Sequence, residues 1–109
     1  MTECVVSGSQ ISGTFTMGGL RIAGLMTEVT LDAVTWTPLP ATALSGRNSL
    51  GIQNQSATEI KLQFDPTTVG YVGVIVGVGS ERFYDITDNI IIYAKAAAGT
   101  PTVLVEELS

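Results

Sequence analysis

Side chains branched at Cβ dominate this sequence and constrain its fold more than any other feature. Val, Ile and Thr supply 34 of the 109 residues. These side chains lose rotamer freedom in a helix and pack well on the pleated surface of a sheet. They also occur in short runs where apolar and polar residues alternate, as at 60–63, which is the period of a half-buried strand. The sequence therefore predicts an all-β protein.

Seven or eight short strands follow one another between residues 29 and 109. Pro38 and Pro40 limit residues 37–41 to an edge or a connection, because proline cannot donate a ladder hydrogen bond. Residues 90–93 are apolar on both faces, which indicates a central strand within a segment at 89–95. This spacing is typical of an immunoglobulin or jelly-roll sandwich. We predict an antiparallel, jelly-roll-like β-sandwich.

The clearest local pattern predicts a hairpin. Apolar residues alternate with polar or small ones in segments 49–53 and 60–64, on either side of a turn at 54–57. One buried and one wet face are expected for antiparallel pairing, so we expect these two strands to pair with each other. The side chains predicted to face inward are Leu50, Ile52, Ile60, Leu62 and Phe64.

Residues 71–79 separate valines from glycines. Val72, Val74, Val76 and Val78 fall on one face of an extended segment, and Gly73, Gly77 and Gly79 fall on the other. A glycine face permits the close approach of another backbone or ring.

Residues 1–28 differ from the rest, because they hold five of the twelve glycines and only three charged residues. Glycine-rich backbone loses much entropy on ordering. The segment is therefore either an edge strand with a loop or an extended arm that orders against a neighbouring subunit; spacing through Leu25 and Val29 also fits a short helical face. We divide the chain into an N-terminal arm or edge segment at 1–28 and a β-sandwich domain at 29–109. The residues predicted to contact a partner are Phe15, Met17, Leu20, Ile22, Leu25, Met26, Trp36 and Tyr71.

Composition argues against several classes of enzyme and metal site. The chain has no His, which excludes Ser-His and Cys-His catalysis and His-ligated metals. Cys4 is the only cysteine, so it cannot form an intrachain disulfide or a thiolate zinc site. We expect no enzymatic activity, no cofactor and no bound metal.

Charge and hydropathy narrow the possible partners. The formal net charge is −5, which opposes nucleic-acid binding because that affinity depends on Lys and Arg. No stretch reaches about 18 apolar residues, and the Met-Thr-Glu-Cys start lacks the basic residues of a signal peptide. We therefore expect an intracellular product with neither nucleic acid nor membrane as its partner.

Several motifs have structural explanations. Gly77-Val78-Gly79 begins like a dinucleotide fingerprint, but Arg82 occupies the third glycine position and no helix pattern follows. Asn54-Gln55-Ser56 matches a glycosylation acceptor, and we interpret it as a turn. Glu106 and Glu107 point to opposite faces if their strand persists, so they form no glycosidase pair. For Trp36 and Tyr71, core packing, a partner interface and a sugar-binding platform all remain open.

Three segments of the chain resemble the small all-β virion proteins of tailed bacteriophages. They are Arg47-Asn48-Ser49-Leu50-Gly51-Ile52-Gln53-Asn54, the strand Ile60-Lys61-Leu62-Gln63-Phe64, and the end of the chain, with Ile91-Ile92-Tyr93-Ala94 followed by Val103-Leu104-Val105-Glu106. The resemblance covers roughly residues 34–107. It departs from the family at 71–79, where the usual Gly-x-x-Leu-x-Pro-Gly turn is missing.

The resemblance implies a capsid decoration (cement) protein with a jelly-roll body, often a homotrimer, that binds the major capsid protein. It implies a place on the capsid surface of the virion after synthesis in the host bacterial cytoplasm. Other members sit at the neck, tail or head fibre, and a carbohydrate-binding module for host attachment is the alternative from another class. Arms in such assemblies can add strands to the sheet edges of neighbours, so we expect residues 1–28 to be required for binding.

Overall fold

A computed structural model describes residues 23–109, which form two antiparallel sheets of four strands each. The strands are β1 (Gly24–Thr30), β2 (Thr37–Pro38), β3 (Ser49–Gln53), β4 (Ile60–Gln63), β5 (Val74–Val76), β6 (Glu81–Tyr84), β7 (Tyr93–Ala96) and β8 (Thr102–Leu108). The first sheet has the order β1-β8-β3-β6 and the second β2-β7-β4-β5. The predicted all-β antiparallel sandwich is confirmed. Nowhere in residues 23–109 is there a helix long and apolar enough to cross a membrane.

The strand pairing is nested. β1 pairs with β8, β2 with β7, β3 with β6 and β4 with β5. Two further pairings, β3 with β8 and β4 with β7, join these pairs into the two sheets. Successive strands from the two ends of the described chain therefore pair with each other. The pairs β1–β8 and β3–β6 lie in the first sheet, and the pairs β2–β7 and β4–β5 lie in the second.

The predicted hairpin between residues 49–53 and 60–64 is wrong, because β3 and β4 lie in opposite sheets. Their alternation is confirmed: Ile60 and Leu62 are buried, and Lys61 and Gln63 are not. Phe64, predicted to face the core, is largely exposed beyond the end of β4. Alternation identifies a strand with one buried face, but a sandwich buries that face against the opposite sheet whichever strands flank it.

The boundary predicted after residue 28 falls inside a strand. β1 begins at Gly24 and pairs with β8 along its whole length, so residues 24–28 belong to the first sheet and form no helical face. The rest of the predicted arm, residues 1–22, lies outside the described residues. The strand predicted at 89–95 is shorter than expected and begins later in the chain, at Tyr93–Ala96. It lies between β2 and β4, which is the inner position predicted for it.

The core lies between the sheets and is aliphatic. Tyr84, Val29 and Ile86 pack against its margin. Alternate residues of β8, Val103 and Val105, point into it, which places residues 104 and 106 on the outside of the sheet. The buried residues of the core are Leu31, Leu39, Leu50, Ile52, Ile60, Leu62, Val76, Ile92, Ala94, Ala96, Val103 and Val105.

Asn54 joins two corners where the chain passes between the sheets. Its fully buried side chain donates to the carbonyl oxygens of Thr58 and Val76 and accepts from the amide of Ser56. Its backbone also exchanges hydrogen bonds with Gly79 and Ser80. The Asn54-Gln55-Ser56 motif therefore forms the predicted turn, and its amide is fully used in holding the β3–β4 and β5–β6 connections together.

Two glycines allow a close approach, one where the sequence predicts it and one where it does not. A Cβ added at Gly73, on the predicted glycine face, would overlap the backbone carbonyl of Leu62. A Cβ added at Gly51, for which no close approach was predicted, would lie 2.6 Å from the Phe83 ring. Gly77, on the same predicted face as Gly73, has no atom nearer than Ser80 Oγ at 3.6 Å. Rigid backbone therefore requires glycine at position 73 but not at 77.

Gly73→Ala is expected to lower the free energy of unfolding by about 2 kcal/mol, because the new methyl group meets rigid backbone. Gly77→Ala serves as the matched control and should shift stability by no more than about 0.5 kcal/mol. Urea unfolding followed by the fluorescence of Trp36 measures both. Equal effects of the two substitutions would contradict this account of the packing.

A buried ion pair closes one end of the sandwich. Arg47 Nη1 lies 2.7 Å from Glu107 Oε2, and both side chains are fully buried. The same guanidinium donates to the carbonyl oxygens of Thr87 and Ile90, and Glu107 Oε2 also accepts the amide of Leu44. The pair thereby ties β8 to the connections that precede β3 and β7.

Glu107→Leu and Arg47→Met are each expected to destabilise the fold by about 3–5 kcal/mol, because each leaves the other charged side chain buried without its partner. The double variant Arg47→Met/Glu107→Leu should cost no more than either single variant, since no uncompensated charge remains. A double-mutant cycle from urea unfolding measures the coupling. Simple additivity of the two single costs would contradict the assignment.

Candidate partner-binding surface

No connection within residues 23–109 covers the outer side of the first sheet, and the composition of that side follows from the strand register. One row across the sheet consists of Glu28, Leu104, Gln53 and Glu81, which the pairing of β1, β8, β3 and β6 places side by side. The neighbouring row consists of Met26, Glu106, Gly51 and Phe83. These two rows are called the open face below.

Two large apolar side chains project from the open face. Met26 is 64% exposed and Phe83 is 60% exposed. The Phe83 ring lies over Gly51, where a Cβ would overlap it, so the glycine leaves room for the ring against the sheet. Gln53 Nε2 donates to Glu81 Oε1 at 3.0 Å. The open face therefore carries apolar and acidic groups side by side.

The outer side of the second sheet is covered by residues 64–73, called the strap, which connect β4 to β5. Four side chains that lie beneath the strap donate hydrogen bonds to its carbonyl oxygens. They are Trp36 Nε1 to Thr68, Lys95 Nζ to Gly70, Lys61 Nζ to Tyr71 and Gln63 Nε2 to Val72. Among residues 23–109, a connection covers the outer face of the second sheet, and none covers that of the first.

Trp36 and Tyr71, both predicted as partner contacts, lie at the outer side of the second sheet, Trp36 beneath the strap and Tyr71 within it. Trp36 is only 6% exposed, with Lys95 Nζ 4.8 Å from its ring centre. Lys61 Nζ lies 4.6 Å from the centre of the Tyr71 ring, and the Tyr71 hydroxyl donates to Glu59 Oε2. A sugar ring or partner cannot stack on Trp36 in this conformation, because its ring and N–H are already engaged.

The other predicted contacts separate into two groups. Met26 lies on the open face, whereas Leu25 lies on the core-facing side of β1, opposite Glu107, and is still 45% exposed. Phe15, Met17, Leu20 and Ile22 lie outside the described residues. Sequence reasoning missed Phe83 and the three glutamates of the open face, because their juxtaposition depends on β6 lying two strands away from β8.

A second exposed apolar surface runs along the margin where β5 and β6 end the two sheets. Leu62 pairs with Val74, which brings the residues after β4 beside those before β5. Phe64 also contacts the Tyr84 ring of β6 edge-on, with centroids 6.4 Å apart. The exposed residues of this apolar margin are Phe64, Val72, Val74, Ile75 and Val78.

Asp32 and Asp65 serve as hydrogen-bond acceptors in turns. Backbone amides of Thr35 and Val34 donate to Asp32 and lower the pKa of its carboxyl group. The hydroxyl and then the amide of Thr67 do the same to the pKa of Asp65. Within residues 23–109 no three Cys, Asp or Glu side chains gather as metal ligands.

Comparison with known proteins identifies no relative. A scan against models of known protein families finds no match, and neither does a search of curated proteins.

Tyr71→Phe is expected to lower stability at neutral pH by about 1 kcal/mol, the net value of a hydrogen bond. The substitution should also make the free energy of unfolding fall less steeply as the pH rises above 10. Burial, followed by the hydrogen bond to Glu59 and its charge, raises the pKa of Tyr71 above the ordinary value of 10. The folded chain therefore keeps the phenol neutral where the unfolded chain ionises it, so the contribution is complete below pH 10 and is lost above it.

Urea unfolding of wild type and Tyr71→Phe at a series of pH values up to about pH 11 measures this slope. Glu59→Gln keeps an acceptor for the phenol but removes the charge, and it should give an intermediate slope. Identical alkaline slopes for wild type and Tyr71→Phe would contradict the role of Tyr71.

Proposed function

We propose that this chain is a capsid decoration protein of a tailed bacteriophage, a non-enzymatic virion component that binds the shell of major capsid protein as an oligomer, with a trimer favoured. In this proposal it is made in the bacterial cytoplasm and ends on the capsid surface. The sequence resemblance at residues 47–54, 60–64 and 91–106 supports the proposal.

The nested pairing supports the jelly-roll part of the proposal. The strand orders β1-β8-β3-β6 and β2-β7-β4-β5 support a double-sheet jelly roll, an architecture found in viral capsid and lectin domains. Fold alone does not determine function. The choice between a shell component and a lectin therefore depends on the surfaces.

The surfaces favour assembly, and this observation carries the proposal. Eleven large hydrophobic side chains are exposed among the described residues, and seven of them lie on the open face or the apolar margin. Large exposed apolar patches mark protein interaction sites in soluble proteins. Burial of Trp36 beneath the strap argues against Trp36 as the sugar-binding platform of the lectin alternative.

The two surfaces suit different partners. The apolar margin contains no acidic side chain, so two copies can approach through it without charge repulsion, as expected for contacts between subunits. The open face stays free for the shell. Several copies joined in one oligomer would hold the shell more tightly than one, because later contacts become intramolecular.

Oligomer formation is tested by light scattering on the full-length chain, with a mass of about 34 kDa expected for three copies of 11.4 kDa. Ile75→Asp places a charge in the apolar margin and should lower the mass to that of a monomer. Val34→Asp changes an even more exposed valine in a turn away from the margin, and it should leave the oligomer intact.

Shell binding is tested by co-sedimentation of the full-length chain with capsids of its own phage prepared without it. The chain should pellet with the capsids at saturable stoichiometry, and removal of residues 1–22, which spares β1, should reduce binding. A wild-type chain that stays monomeric and ignores capsids, or that binds only the neck or tail, would overturn the proposal.

A further inference from the structure

We infer that the open face docks a basic protein surface on a different polypeptide, one that presents Lys or Arg side chains flanked by apolar groups. The inference rests on the proposed function for the identity of that polypeptide as a shell subunit. Its physical content depends only on the composition of the face.

The charges of the open face have one sign. Glu28, Glu81 and Glu106 lie on it, and none of the Lys or Arg side chains within residues 23–109 does so. They span the sheet from β1 to β6, a width of about 14 Å at the usual strand spacing. Met26 lies beside Glu28 and Glu106, and Phe83 lies beside Glu81, so a partner that covers the apolar groups also removes water from the carboxylates. Such burial costs free energy unless the partner supplies positive charge.

A second copy of this chain is a poor source of that charge. Four basic side chains lie in the described residues, and three are already engaged: Arg47 with Glu107, and Lys61 and Lys95 beneath the strap. Arg82 remains exposed, but it lies on the core-facing side of β6 and stacks on Tyr84. Two open faces brought together would oppose six carboxylates, and none of the basic residues within 23–109 would lie between them. We therefore assign the complementary surface to another molecule.

Phosphate-bearing partners are equally unsuited. Nucleic acids and anionic lipid surfaces carry negative charge and would be repelled by the three glutamates. A protein surface with Lys or Arg satisfies the carboxylates, and its apolar groups cover Met26 and Phe83. Aromatic and Met side chains with oppositely charged neighbours are typical of the centres of such interfaces.

The test uses the full-length chain and a bead-displayed library of random short peptides. Wild type should select peptides enriched in Lys or Arg beside apolar residues. A synthetic copy of the best binder is then titrated by fluorescence polarisation. The double variant Glu28→Gln/Glu106→Gln should weaken binding about tenfold or more and flatten its dependence on salt. Phe83→Ala should weaken it by a similar factor without changing the salt dependence.

The matched control is Asp32→Asn/Asp65→Asn, which removes the same number of charges away from the open face and keeps an oxygen in each turn. It should change affinity less than about twofold. Selected peptides without basic enrichment, or equal losses in both double variants, would overturn the inference. So would self-association that disappears with Glu28→Gln/Glu106→Gln, since the occupant would then be a second copy. Peptide binding that appears only after Arg21→Gln would identify this chain's own N-terminal segment as the occupant and also overturn it.

This test separates the inference from the proposed function. Basic peptides that bind the open face of a chain that ignores capsids would leave the inference standing and defeat the function. Capsid binding that is unchanged in Glu28→Gln/Glu106→Gln would leave the proposed function standing and defeat the inference.

Discussion

The buried pair of Arg47 and Glu107 fixes the parity of the last strand, and much of the surface follows from that parity. A carboxylate without its partner cannot be left in the core at an acceptable free energy, so Glu107 must face Arg47. Because side chains alternate along a strand, Glu106 and Leu104 then face outward. A slip of one residue would expose the core valines and bury Glu106. The open face therefore owes its acidic and apolar pattern to an interaction on the other side of the same strand.

The two outer faces of the sandwich differ in what covers them. The strap engages the lysines of the second sheet with carbonyl oxygens and aromatic rings, which offsets the repulsion expected between the directly opposed Lys61 and Lys95. This arrangement also withdraws two of the few basic side chains from the surface. The bare outer face of the first sheet and the apolar margin are then the places where the described chain offers contact, and they differ in charge.

Local features of the sequence were sufficient to predict the strands but not their neighbours. Alternation at 60–63 identified one strand and its buried face, and the glycine at 73 indicated a close approach. Pairing failed for β3 and β4, since a nested ribbon sets each strand beside one distant in sequence, and alternation carries no information about which. For the same reason Phe83 and Glu28 could not be recognised as members of one surface.

The sequence also could not predict whether aromatic side chains such as Trp36 are exposed. Trp36 is covered by residues 64–73, and nothing in the local pattern around either segment indicates that the strap lies over the second sheet. Glu107 was identified only as facing opposite to Glu106, because its partner Arg47 is distant in sequence. The sequence thus predicts strand faces well, whereas the binding surface requires the topology.

The central claim is that the bare face of the first sheet contacts the shell. A cryo-electron microscopy map of full-length protein on its own capsid measures this most directly, because the orientation of the sandwich is visible at strand resolution. Density should place β1, β8, β3 and β6 against the capsid, with Lys or Arg side chains of the shell beside Glu28, Glu81 and Glu106. A map in which the strap-covered sheet meets the shell, while Met26 and Phe83 face solvent, would contradict the account.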